Sequence, residues 1–220
     1  MGTSSISNEY YFAEGTTRIK FEEWITIQNP NAHPITAKAT YYLASGAPIT
    51  KEYEIDAARR YTVYVPKEEG LGQDVSICLS SKHNFLAERP MYFNYQGMGA
   101  YGWTGGHCVI VTSVCAYNWF FAEGCTASGF EPWICIQNPG DREAAVTMTY
   151  YPENGSVPIR AEHKVAPISR YTILVNADAG PGKAISTQVS SDQPIICERP
   201  MYFNFRGAWD GSHDAVGFPQ

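Results

Sequence analysis

Residues able to bind or react occur in this 220-residue chain as pairs about 110 positions apart. Glu14 returns as Glu123, Glu88-Arg89 as Glu198-Arg199, His107 as His213 and Trp103 as Trp209. Glutamates beside arginines can line a polar pocket and grip a ligand. They can also satisfy one another, because a charge placed near a core must be paired and the guanidinium fork takes a carboxylate through two bonds. The second chemistry is the expected one: Glu14 pairs with Arg89, and Glu123 with Arg199, across adjoining strands. His107 ends Gly105-Gly106-His107 and His213 ends Gly211-Ser212-His213. A histidine after such a turn can bind a ligand or metal, with Asp210 and Asp214 beside the second copy. One imidazole with carboxylates falls short of the three or four good ligands of stable transition-metal sites, so no metal is expected and the histidines read as caps on turn carbonyls.

The aromatic pairs Trp24/Trp133, Trp103/Trp209 and Tyr92/Tyr202 can stack on sugar rings or fill small β cores. Glu22 and Glu131 flank the first pair and could serve as polar groups on a pocket rim. A ligand site, if present, draws on Glu88, Arg89, Trp103, His107, Glu198, Arg199, Trp209 and His213. Nucleophilic chemistry finds little support. There is no Gly-x-Ser-x-Gly, His-Glu-x-x-His or phosphate-loop pattern. His107 and Cys108 are neighbours, so on a strand they point to opposite faces, and Asp214 stands where the second copy would repeat the thiol. The expectation is a non-catalytic protein with no cofactor. A glycosidase with two carboxylates across a cleft is the weakest alternative.

The elements that position these residues follow from an internal repeat. Phe12-Ala13-Glu14-Gly15 returns as Phe121-Ala122-Glu123-Gly124, and Gln28-Asn29-Pro30 as Gln137-Asn138-Pro139. The longest match runs from Glu88-Arg89-Pro90-Met91-Tyr92-Phe93-Asn94 to Glu198-Arg199-Pro200-Met201-Tyr202-Phe203-Asn204. A period this long describes a whole domain rather than a solenoid turn, which places one unit at 1–112 and a second at 113–220. Each unit reads as strands: Ala37, Ala39, Tyr41 and Leu43 share one face, with Thr36, Lys38, Thr40 and Tyr42 on the other. Asn29-Pro30-Asn31, Asn138-Pro139-Gly140 and Asn154-Gly155 are turn signals. The predicted class is all-β, two tandem antiparallel sandwiches of jelly-roll or immunoglobulin-like type. Pro90 and Pro200 lie in apolar runs, which predicts an edge or a bulge at each.

A net charge of −6 with no basic run argues against nucleic acid as a partner. No stretch of about 18 apolar residues predicts a transmembrane helix, and residues 1–8 carry no apolar signal segment. The six cysteines form no Cys-x-x-Cys pair, two lying in the first unit and four in the second, and they read as free thiols packed as small hydrophobes.

Several runs carry a family resemblance: Trp119-Phe120-Phe121-Ala122-Glu123-Gly124, Cys135-Ile136-Gln137-Asn138, Thr149-Tyr150-Tyr151, Arg170-Tyr171-Thr172 and Pro194-Ile195-Ile196. In this order they resemble the sensory rhodopsin transducer family, and with the Glu-Arg-Pro-Met-Tyr-Phe run they are similar to tandem modules of bacterial surface proteins. The resemblance implies a β-sandwich that self-associates and binds a sugar or a protein. It implies an extracellular or cell-surface setting, or, for a transducer-like adaptor, a cytoplasmic one. The fused tandem and the added run favour the surface module.

Overall fold

The computed structural model describes residues 5–97, 102–110 and 112–220. The first copy contributes β1 (Ser7–Phe12), β2 (Phe21–Asn29), β3 (Ile35–Leu43), β4 (Ile49–Ile55), β5 (Arg59–Tyr64), the single-turn helix α1 (Val65–Glu69), β6 (Val75–Gln96) and β7 (Gly102–Ile110). The second contributes β8 (Ala116–Phe121), β9 (Phe130–Asn138), β10 (Ala144–Pro152), β11 (Ile159–Val165), β12 (Ser169–Leu174), the single-turn helix α2 (Val175–Ala179), β13 (Ile185–Glu198), β14 (Met201–Phe205), β15 (Trp209–His213) and β16 (Phe218–Pro219). Val111, beside the expected boundary between 112 and 113, lies outside the described residues. The fold is all-β and antiparallel.

One strand serves both layers of each sandwich. The first part of β6 pairs with β1 and β3, and β3 with β4. The later part pairs with β2 and β7, and β2 with β5. In the second copy β13 plays the first role, pairing with β10 and β8, and its end passes to β9. There β14 takes over, pairing with β9 and β15. The alternation along β3 is as expected, with Ile35, Ala37, Ala39 and Tyr41 buried and Thr36 and Lys38 exposed. These side chains pack against Ile25, Ile27 and Phe85 to fill the first core.

The Gln-Asn-Pro repeat has a structural purpose. Asn29 donates its side-chain N–H groups to the carbonyls of His33, Ile55 and Asp56, and its Oδ1 accepts from the Asn31 backbone. Asn138 does the same with Arg142, Val165, Ala166 and Gly140. One amide thus satisfies the backbone of two connections that would otherwise be left unpaired.

Proline behaves differently from the expectation. Pro90 sits in the interior of its sheet, between β2 and β7, and the β6–β7 register runs through it without a bulge. The missing donor falls in a gap of the β2 ladder, between the Glu23–Met91 and Thr26–Glu88 pairings. At Pro200 the strand instead breaks, ending β13 at Glu198 and restarting β14 at Met201. All six cysteines are unpaired thiols; Cys78, Cys135 and Cys197 are buried, and Cys108 is exposed.

Candidate functional site

The two copies meet along a seam that is neither small nor polar only. Tyr11, Ala13, Tyr42 and Cys78 of the first copy belong to the same buried cluster as the core of the second. Phe21, Met91, Phe93 and Trp103 enclose Tyr202 from the second copy. Tyr202 packs edge-on to Phe21 and Phe93, and Tyr95 stacks on Trp103. At the seam β7 and β15 run close together. A Cβ added at Gly105 would make ordinary contact with the Gly211 Cα at 3.6 Å and press on the Phe93 ring at 3.2 Å.

Buried charge crosses the same seam. Arg89, wholly buried, donates to the carboxylate and backbone carbonyl of Glu14. It also reaches the second copy, donating to Glu198 Oε2 at 2.9 Å and Asp214 Oδ2 at 2.6 Å. Glu198 completes its own shell by accepting from the Ala13 backbone N–H at 2.7 Å. Burial pushes the Glu198 carboxyl well above the usual range against the pull of Arg89. At Asp214 burial pushes the same way, but Arg89 and its other partners outweigh it and hold the carboxyl below its usual value. His107 sits 3.6 Å from Glu14 through Nε2, its side chain 5% exposed. The predicted partners Glu14 and Arg89 are therefore together, joined by two acids and a histidine that repeat logic alone did not bring to them.

The equivalent residues of the second copy are arranged otherwise. Arg199 meets Glu123 at 3.1 Å and His213 meets it at 3.3 Å, but the Glu123 side chain is 59% exposed. Glu88 is half-buried on β6, where its carbonyl accepts from the Thr26 hydroxyl. Tyr92 is 58% exposed where Tyr202 is 5%, and Trp209 is 61% exposed where Trp103 is 1%. Trp209 stacks on exposed Phe205. The copies thus use different faces on one another, a head-to-tail contact rather than a two-fold one.

A cleft of about 310 Å³ opens on the seam, within the range of small-ligand sites. Phe21 and Tyr95 from the first copy and Trp133 and Tyr202 from the second form its aromatic walls. Its polar lining includes Glu14, Thr16, Arg18 and Asp74, then Arg170 and Thr172. Asp74 accepts from Arg18 at 2.6 Å and lies 3.6 Å from Arg170, so one carboxylate stands between two guanidinium groups. Arg170 is buried, whereas its repeat partner Arg60 is exposed. Glu131 joins the copies behind the wall: Tyr95 O–H donates to its Oε1 at 2.6 Å, and Trp133 Nε1–H at 3.1 Å. Sequence reasoning placed Glu131 on a pocket rim but assigned Arg170, Asp74 and Tyr95 no role. Arg170-Tyr171-Thr172 repeats Arg60-Tyr61-Thr62 of the first copy, yet only the seam separates the two arginines.

Glu23 lies beneath this cleft. A Cβ at Gly15 would come within 2.6 Å of its carboxylate and 2.5 Å of the Val75 carbonyl, so glycine makes room for both. Burial pushes its carboxyl up to about 8 against the pull of Arg89. Proline stands at the matching place in the second copy, Pro132. Repeat logic therefore passes over Glu23.

No protein-family model matches the chain, and no curated protein matches it. Among solved structures it is similar to Thermotoga maritima 1070, at 21% identity over 48% of this chain and 96% of that one, with a TM-score of 0.45. It is also similar to the Anabaena sensory rhodopsin transducer, at 24% identity over 40% of this chain and 98% of that one, with a TM-score of 0.35.

Proposed function

We propose that this chain is a non-catalytic binding module that holds a sugar-sized ligand in the cleft between its two copies. The observation that supports this reading is the wall of Phe21, Tyr95, Trp133 and Tyr202 beside Arg18, Asp74 and Arg170. Aromatic faces take the apolar face of a pyranose ring, and paired carboxylate and guanidinium groups take its hydroxyls. A module of this kind belongs on a bacterial surface or in a secreted protein.

The open faces support self-association as part of the same reading. Tyr92 and Arg60 on the first copy match residues that the second copy buries in the seam; Glu123 and Trp209 on the second match residues that the first copy buries. A second chain offers each open face its complement. The cytoplasmic adaptor reading draws on the same open face as a dock for a different protein, and on six unpaired thiols, which suit a reducing compartment.

A glycan array followed by titration calorimetry on the full chain tests the proposal. Trp133→Ala should weaken binding about tenfold, the equivalent of roughly 1.4 kcal/mol. Trp209→Ala should leave sugar binding intact while lowering the sedimentation-measured dimer fraction. Glycan binding lost with Trp209 and kept without Trp133 would move the site to the outer surface. A chain that binds no glycan would remove the sugar.

A further inference from the structure

The seam holds a cluster that the sugar reading does not use. Glu14, His107 and Asp214 each offer one donor atom, and these atoms all lie within 4.8 Å of one another. Glu14 and His107 come from the first copy and Asp214 from the second. Arg89 engages only one oxygen of each acid, Glu14 Oε2 and Asp214 Oδ2. The other Asp214 oxygen, Oδ1, is buried and makes no hydrogen bond among the described residues. Both ring nitrogens of His107 are likewise buried without one, and its side chain is 5% exposed. Buried polar atoms left this way are costly unless something fills the gap between them.

Charge says what fills it. Glu14, Glu198 and Asp214 place three carboxylates on the single guanidinium of Arg89. Glu14 and Asp214, the two acids clustered with His107, outnumber the single guanidinium by one negative charge, which a bound cation offsets. Buried charge is tolerated when it is paired or bound to metal. The 3.6 Å between Glu14 Oε1 and His107 Nε2 suits two ligands on one ion, whose bonds to nitrogen and oxygen are about 2.0–2.2 Å. One imidazole with two carboxylates favours a first-row transition metal over calcium or magnesium. Glu14 also lines the cleft, which gives an ion a way in.

We propose that Glu14 Oε1, His107 Nε2 and Asp214 Oδ1 bind one divalent transition-metal ion, zinc or a close relative, bridging the two copies. Arg89 orients both carboxylates by holding their other oxygens. The duplicated half-site is incomplete: Glu123 and His213 recur, but Cys108 stands at the position matching Asp214. One ion per chain is therefore expected. The inference is independent of the sugar reading and is tested with the metal alone.

The chelator-treated full chain should take up one equivalent of cobalt(II) or zinc and melt several degrees higher in its presence. Bound cobalt should show visible d–d bands without the near-ultraviolet charge-transfer band of a thiolate ligand. His107→Gln should lower affinity at least tenfold, whereas His213→Gln should not change it. His107→Asn serves as a second variant if the first does not fold. No uptake by the natural chain, a thiolate band, or unchanged affinity in the His107 variant would each overturn the site, the cluster then being satisfied by protons alone.

Discussion

Arg89→Met should destabilise the chain by about 3–5 kcal/mol, whereas Arg199→Met, the same change at the repeated position, should cost no more than about 1 kcal/mol. The residues are equivalent in sequence and differ in surroundings. Arg89 is wholly buried and carries Glu14, Glu198 and Asp214, so its loss leaves three acids in the seam without a counter-charge. Arg199 meets one carboxylate, which water already solvates. Arg199 is itself buried, but its one acid faces water, so solvent screens the pair and its removal strands no carboxylate in the seam. Urea unfolding of the two variants reads the difference. Equal costs would mean that the seam does not hold the copies as described, since Arg89 would then lack its second-copy partners.

The second large effect is a pH dependence centred on Glu23. Its carboxyl titrates near 8 in the folded chain and near 4.5 when unfolded, because burial disfavours the anion more than Arg89 favours it. Between those values the folded chain holds a proton that the unfolded chain has lost. The folded state therefore binds more protons, and stability falls as pH rises from about 4.5 to about 8, then levels. The full span corresponds to roughly 4–5 kcal/mol. Glu23→Gln keeps the shape and removes the titration. Compared on chelator-treated protein, the variant should match the natural chain near pH 4 and exceed it increasingly toward pH 8. A constant difference across that range would show that Glu23 is charged in the folded state.

Much of the fold was readable in the residues, and the reasons are local. The alternation along β3 and the turn chemistry of Asn29 and Asn138 depend on neighbours a few positions away. The Glu14–Arg89 and Glu123–Arg199 pairings could be inferred because the repeat shows both partners twice. What escaped depends on how one copy meets the other. A repeat makes Tyr92 and Tyr202 look alike, as it does Trp103 and Trp209, yet a head-to-tail contact buries one of each and leaves the other in water. Asp214 was visible only as the residue following a histidine, and its partner Arg89 lies far away in sequence. Glu23 has no echo in the second copy. Pro90 was misplaced because a strand inside one sheet can leave a gap in the ladder on one side while staying paired on the other.

The seam is what the cleft, the charge cluster and the metal proposal share, and cooperativity of unfolding tests it most directly. Guanidinium unfolding of the full, chelator-treated chain should give one transition, with tryptophan fluorescence, to which buried Trp103 and Trp119 contribute one from each copy, superimposing on far-ultraviolet circular dichroism. Two separated transitions, each carrying about half the circular dichroism change, would contradict a shared seam and return the chain to two independent domains on a string.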